Sequence, residues 1–472
     1  MKIKKLLYFT FCFTFFHVAF ATTYKVGPSR TYTSPNALYL ANIVANGDII
    51  EIDAGDYSGT NAFANWSANN LIIRGIGGRP HLIANGQNLQ GKGIWIISGN
   101  NTTVDNIEFS GATVPDKNGA GIRQEGVDLT IKNCYFHHNE NGVLTGANVG
   151  DILVEYSEFS FNGFRDGFSH NIYVGHADSF TLQFSYMHHA KVGHNVKSRA
   201  NKNTILYNRI MDEASGNSSR LIDLSNGGFT IIMGNLLMQG PNAPNNNLVG
   251  YGLEGLSNTA PHELHFINNT LVNKRSSAIF VAIKNGTTTA NISNNIFAGI
   301  GTLVSGSTTT MSNNITETAI ANLLFTDEAN YDYSLQENSP GINAGTSLGS
   351  VNGVSLTPNK HYIHTANSTT RTTIDVIDAG SYEYGNTLSN EEFSTLQFLI
   401  YPNPAKDIIS IKALEHNDFK VKIYNIRGQK IGFDHSFISG NYTINTSNFT
   451  SGIYFVEVLM NNKKQVFRII VE

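Results

Sequence analysis

A phrase of about 25 residues recurs through the middle of the chain. Each copy is a short apolar run, a turn rich in asparagine, and a second apolar pair. The first clear copy is Ile131-Lys132-Asn133-Cys134-Tyr135-Phe136, and the column continues at 154–159, 182–187, 205–210, 232–237, 266–271 and 292–297. No helical periodicity separates the copies. A repeat made only of strands and turns cannot bury its apolar side chains alone, so it stacks on its neighbours as a parallel β-solenoid. The expected fold class is therefore all-β: a right-handed parallel β-helix, the hand following from the preference of parallel crossovers. Only 14% of residues are charged, and 44 are glycine, which suits stacked strands joined by turns that need positive φ. Asparagines at equivalent turns are expected to form internal ladders.

The two ends differ from this repeat. Met1-Lys2-Ile3-Lys4-Lys5, an apolar stretch to Phe20, and Ala19-Phe20-Ala21 form a secretory signal peptide over 1–21, too short for a membrane span. Of two cysteines, only Cys134 then remains, so no intrachain disulfide is expected. A net charge of −4 argues against nucleic acid as a partner. Residues 36–45 place apolar side chains at helical spacing before Ile49-Ile50-Glu51-Ile52, predicting a capping helix over the first open rung. The β-helix is expected over 22–385 and a polar linker over 386–397.

From 398 to 472 the pattern is alternating strands with short turns, a small antiparallel β-sandwich. Its Tyr401-Pro402-Asn403-Pro404 start, its Gly452-Ile453-Tyr454 strand and its terminal strand resemble the C-terminal sorting domain of the Bacteroidetes type IX secretion pathway. That resemblance implies the type IX machinery as a partner, and release or attachment at the cell surface.

Functional candidates gather in a second column of strands, at 121–125, 142–146, 171–175, 195–199 and 221–225. If Ile172, Val196 and Ile222 face the core, period two sends Tyr173, Lys197 and Asp223 outward on successive rungs, with Arg199 beside Lys197. Rungs stack about 4.8 Å apart, so one sugar unit spans the group. Lys197, Arg199, Tyr173 and His194 are the expected catalytic residues; His170, Asn171, Asn195, Arg220, Asp223, Arg123 and Trp95 are expected to bind substrate. Such a cationic outer face suits an acidic, uronate-containing polysaccharide and β-elimination. A base takes the C5 proton, a cation neutralises the carboxylate, and an acid protonates the leaving O4. Either Lys197 or Tyr173 serves as base on this reading, and Tyr173 or His194 as acid. The adjacent pairs His137-His138 and His188-His189 are read as bonding to backbone, not zinc, so no metal site is expected. Asp166, Asp212, Glu213 and Glu254 lack a calcium-loop spacing and read as solvated carboxylates, leaving calcium the one ion open as a cofactor.

The run Val196-Lys197-Ser198-Arg199-Ala200-Asn201 through Asn208, with Ile222-Asp223-Leu224-Ser225, resembles the core of polysaccharide lyase family six, the alginate and chondroitin lyases. The resemblance implies that Lys197 is the base and that alginate is a substrate. The chain departs from the family at Ser225, where the family has its catalytic arginine, and near Gly193, where the family has a calcium-binding glutamate. A β-helix glycoside hydrolase, a C5-epimerase and a non-catalytic glycan-binding solenoid are the competing readings. A monomer is expected.

Overall fold

A computed structural model describes residues 21–385, 398–413, 419–438, 441–460 and 463–472. The expected linker, and the expected signal peptide apart from Ala21, lie outside the described residues. The chain separates into two compact units, 1–386 and 387–472.

The first unit is the parallel β-helix. Three sheets run along it, each strand pairing with its counterpart one turn earlier and one turn later. Among the described residues the first sheet holds 12 strands, starting with Thr23–Val26 and Ile49–Asp53; the second holds 11, from Asp56–Ser58 to Ile315–Glu317; the third holds 10, from Ala64–Trp66 to Thr302–Gly306. The repeat read from sequence is the corner between the first two sheets. Ile131, Val154, Leu182, Ile205, Ile232, Phe266 and Ile292 pair in one unbroken register. The residue two later takes left-handed φ on every rung: Asn133, Tyr156, Phe184, Tyr207, Gly234, Asn268 and Asn294. That sharp corner aims the next strand into the second sheet.

One position further on, the asparagine ladder appears. The backbone N–H of Asn208 donates to Asn235 Oδ1 at 2.9 Å, that of Asn235 to Asn269 at 3.0 Å, and that of Asn269 to Asn295 at 2.8 Å. Each side-chain amide also donates to the next Oδ1, and each reaches back to a carbonyl of the preceding turn. Buried turn backbone is thus satisfied without water. Inside the three sheets lie Phe109, Phe136 and Phe159, stacked at 4.8 and 4.6 Å, with Ile, Val and Leu above and below.

The capping helix spans Pro35–Ala41, begun by Ser34, whose hydroxyl accepts from Ala37 N–H. It packs against the first strand of the third sheet, burying Leu38. It ends four residues sooner than expected, because Asn42 adopts a left-handed conformation and closes the last turn onto Tyr39. At the other end, the chain after Glu317 folds back over the outside of the second sheet. Leu323, Phe325, Tyr333 and Tyr362 there bury Met211, Leu236, Met238 and Ile296. A fully buried Arg371–Glu383 pair, 2.8 Å apart, fixes this return segment.

The second unit is two four-stranded antiparallel sheets sharing one core of Ile409, Ile411, Ile423, Ile444, Val456, Val458 and Ile469. Among the described residues no helix is long and apolar enough to cross a membrane.

Candidate active site

Strands Ile172–Val174, Val196–Ser198 and Ile222–Leu224 are neighbours in the third sheet. Their register pairs Tyr173 with Lys197 and Lys197 with Asp223, while Ile172, Val196 and Ile222 are wholly buried. Period two therefore puts the phenol, amine and carboxylate in one outward row. Gly250 is next in that row. A Cβ there would lie 3.0 Å from Asp223 Oδ1 and 3.3 Å from Arg220 Cδ, so the glycine makes room for both side chains.

The row is tightly connected. Arg199 Nε donates to the Tyr173 hydroxyl oxygen at 2.8 Å, and Lys197 Nζ stands 5.7 Å from the centre of the Tyr173 ring. Lys197 Nζ donates to Glu254 Oε1 at 2.6 Å and to Asp223 Oδ2 at 3.3 Å. Arg199 also donates to the other Glu254 oxygen, and to Asn226 Oδ1 at 2.7 Å. Amine and guanidinium thus hold one carboxylate between them, a charge-assisted clamp. The Lys197 side chain is 9% exposed and that of Glu254 43%, so the carboxylate closes the clamp from the solvent side. Burial raises the Glu254 carboxyl, but hydrogen bonds from Lys197 and Arg199 outweigh it and leave it below its ordinary value.

Glu254 was not among the expected site residues. Its place follows from the strand Asn247–Tyr251, after which Gly252 at φ 70° turns the chain back, and Glu254 N–H donates to Ser225 O at 3.0 Å. Strand alternation, the signal that found Tyr173 and Lys197, stops at Tyr251. Asn226 follows the Ile222–Leu224 strand in the same way.

Several expected substrate contacts are corrected. Asp223 is wholly buried and accepts from Ser225 Oγ at 2.7 Å, Arg220 at 3.1 Å and Lys197; it anchors cations and offers no free face to a ligand. Arg220 is pinned to it with a side chain 19% exposed. Asn171 and Asn195 are wholly buried. The Asn171 amide donates to Asn195 Oδ1 at 2.7 Å and that of Asn195 to Ser218 Oγ at 3.0 Å, an internal ladder. Trp95 pairs with Ile122 inside the helix, donates to Ala62 O at 3.0 Å and packs edge-on against Trp66 and Phe109. Arg123 does face outward, but Leu144 separates it by one rung from Tyr173.

The two histidines stack at 4.9 Å with rings 4° from parallel, both buried. His170 Nδ1 accepts from His194 N–H at 2.9 Å, and His194 Nδ1 from Arg220 N–H at 3.1 Å. Burial first, then Lys197 and Arg220, push the His194 imidazole down to about 3; burial holds His170 well below its ordinary value. Both are neutral rings that brace strand entrances. His194, expected as an acid, carries no imidazolium proton to give; its Nε2 lies 3.8 Å from Asp223 Oδ2. Asp212 is buried against the Asn195 amide, and Glu213 accepts from the Tyr186 hydroxyl at 2.5 Å, so neither is a free loop carboxylate.

Residues 399–472 match the Secretion system C-terminal sorting domain family. The protein is thus exported and attached at the cell surface through the type IX pathway. No curated protein matches the chain. Solved structures similar to it include pectin methylesterase PemA from Erwinia chrysanthemi, 12% identical over 47% of this chain and 81% of that one, with a TM-score of 0.32. A pectin methylesterase in complex with a hexasaccharide is 10% identical over 64% and 91%, with a TM-score of 0.31. The pectin methylesterase from Aspergillus niger is 11% identical over 68% and 92%, with a TM-score of 0.26. Likeness at this level carries no argument about chemistry.

Proposed function

We propose that this secreted β-helix protein is a polysaccharide lyase that cleaves a uronate-containing chain by β-elimination at Tyr173, Lys197 and Arg199. One observation carries the reading: Lys197 and Arg199 already bind a carboxylate, that of Glu254, directly beside the Tyr173 hydroxyl. A uronate carboxylate entering from solvent takes the place of Glu254. Its charge is then neutralised from two sides, which stabilises the enolate that forms when the C5 proton leaves.

Of the two bases considered, the geometry favours Tyr173. Lys197 Nζ is committed as a donor to Asp223 and Glu254, whereas the Arg199 N–H is aimed at the Tyr173 oxygen, where negative charge sits when the phenol acts as base. Tyr173 takes the C5 proton, the electron pair forms the C4–C5 double bond, and the C4–O4 bond breaks. The proton returns from Tyr173 to O4. One chain end becomes an unsaturated uronate and the other a free hydroxyl, with no water consumed.

A hydrolase needs two accessible carboxylates flanking the bond. Glu254 is accessible, but its neighbour Asp223 is wholly buried. An epimerase would use the same base and clamp without cutting. Cleavage in oxygen-18 water, followed by mass spectrometry, separates these outcomes. Unsaturated, unlabelled products are expected. Labelled saturated ends, or altered C5 stereochemistry in uncut polymer, would overturn the proposal. The family-six resemblance makes alginate the first polymer to test.

A further inference from the structure

The outer face of the second sheet carries a separate constellation. Strands His81–Ile83, Glu108–Ser110 and Tyr135–His137 are consecutive there, with His81, Glu108 and Tyr135 in register and Ser110 beside His137. Glu108 Oε1 lies 3.5 Å from His81 Nε2 and 3.0 Å from His137 Nε2. All three ligand atoms fall within 4.8 Å of one another. Around a tetrahedral ion with bonds near 2.1 Å, ligand atoms stand about 3.4 Å apart, a value the two measured edges bracket. The third edge closes by small rotations of two imidazoles whose side chains are 23% and 16% exposed.

We propose that His81, Glu108 and His137 bind one divalent transition-metal ion, zinc being the type, and so tie three successive rungs of the second sheet together. Two imidazoles and one carboxylate suit zinc, whereas calcium and magnesium take oxygen ligands throughout. Ser110 Oγ also lies 2.7 Å from His81 Nε2. His137 Nδ1 lies 2.8 Å from His138 Nδ1, so the neighbouring ring orients the liganding one. The adjacent-histidine reading is thereby corrected: the pair bonds ring to ring, and its outer nitrogen meets a carboxylate rather than backbone.

An internal comparison sharpens the assignment. Two rungs further on, the same positions hold Tyr135, Glu158 and His188, and His188 again meets both its carboxylate, at 3.2 Å, and the adjacent His189, at 2.8 Å. Tyrosine replaces the first histidine there, which leaves only one imidazole and one carboxylate. No other such group of three or more His, Cys, Asp or Glu ligands is found among the described residues.

The test is zinc titration by calorimetry on the exported full-length chain after treatment with EDTA. One equivalent of zinc and a raised melting temperature are expected, and cobalt should give the strong visible bands of a tetrahedral site. His81→Ala and His137→Ala should each weaken binding at least about 100-fold, and His138→Ala about 10- to 100-fold. His188→Ala should leave it unchanged. Melting in EDTA establishes that each variant folds; if an alanine variant does not, Glu108→Gln replaces it. No zinc or cobalt binding, or binding undiminished in the His81→Ala/His137→Ala double variant, would overturn the proposal.

Discussion

Replacing Tyr173 by Phe removes one oxygen and leaves the ring. The ring keeps its place beneath Lys197 Nζ, 5.7 Å from its centre, and its edge contact with His170 at 5.3 Å. What disappears is the atom that receives the Arg199 N–H at 2.8 Å. Arg199 remains held by Glu254 and Asn226, and the freed N–H lies near enough to the surface for water to reach it. The loss of stability is therefore modest, about 1 kcal/mol. Catalysis is affected far more. A positioned proton-transfer group contributes roughly 100- to 10,000-fold, about 3–5 kcal/mol of barrier. The clamp for the uronate carboxylate survives, so KM should change by a few-fold while kcat collapses. Initial rates on a uronate polymer, followed by ultraviolet absorbance of the unsaturated product, give both parameters. A Tyr173→Phe enzyme keeping more than about a tenth of wild-type kcat would refute the assignment of Tyr173 as base.

Three other perturbations probe different layers. Glu254→Ala opens the clamp by removing the internal carboxylate, so affinity for uronate oligosaccharides should rise; calorimetry with a catalytically dead Tyr173→Phe background reads it, and weaker binding would mean that Glu254 positions the cations instead. Acid should destabilise the β-helix early, because His194 and His361 are buried with values of about 3 while the unfolded chain titrates near 6.5. Their folded values are depressed, so the unfolded state takes up protons first and stability falls as pH drops through that window, by about 1.4 kcal/mol per unit for each histidine; urea midpoints that stay constant from about pH 6.5 to pH 5 would contradict this. Asn235→Ala strips the Asn208 N–H and the Ile205 carbonyl of their buried partners, at a cost of roughly 3–5 kcal/mol measured by urea unfolding.

Much of the β-helix is legible in the sequence because its repeat is regular. The apolar columns align residue for residue with the observed register, and the outward row Tyr173–Lys197–Asp223 follows from alternation alone. Alternation fails where it has nothing to read. The strand Gly93–Ile97 is apolar throughout, so its phase is set by packing, and packing turns Trp95 inward. Asn171 and Asn195 precede their strands rather than lying in them, so period two does not apply and their amides turn into the ladder. Glu254 enters from a glycine turn beyond a strand end, a placement that depends on the neighbouring rung. The depth of Asp223 is likewise a property of the stack: Lys197, Arg220 and Ser225 converge on it from three chain positions.

Incubation of the exported chain with a panel of uronate polysaccharides, alginate first, tests the central claim most directly. Growth of the ultraviolet band of a C4–C5 unsaturated uronate, abolished when Lys197 and Arg199 are both replaced by Ala, is the expected result. A flat trace on every polymer, or new reducing ends without that band, would contradict an elimination at this site.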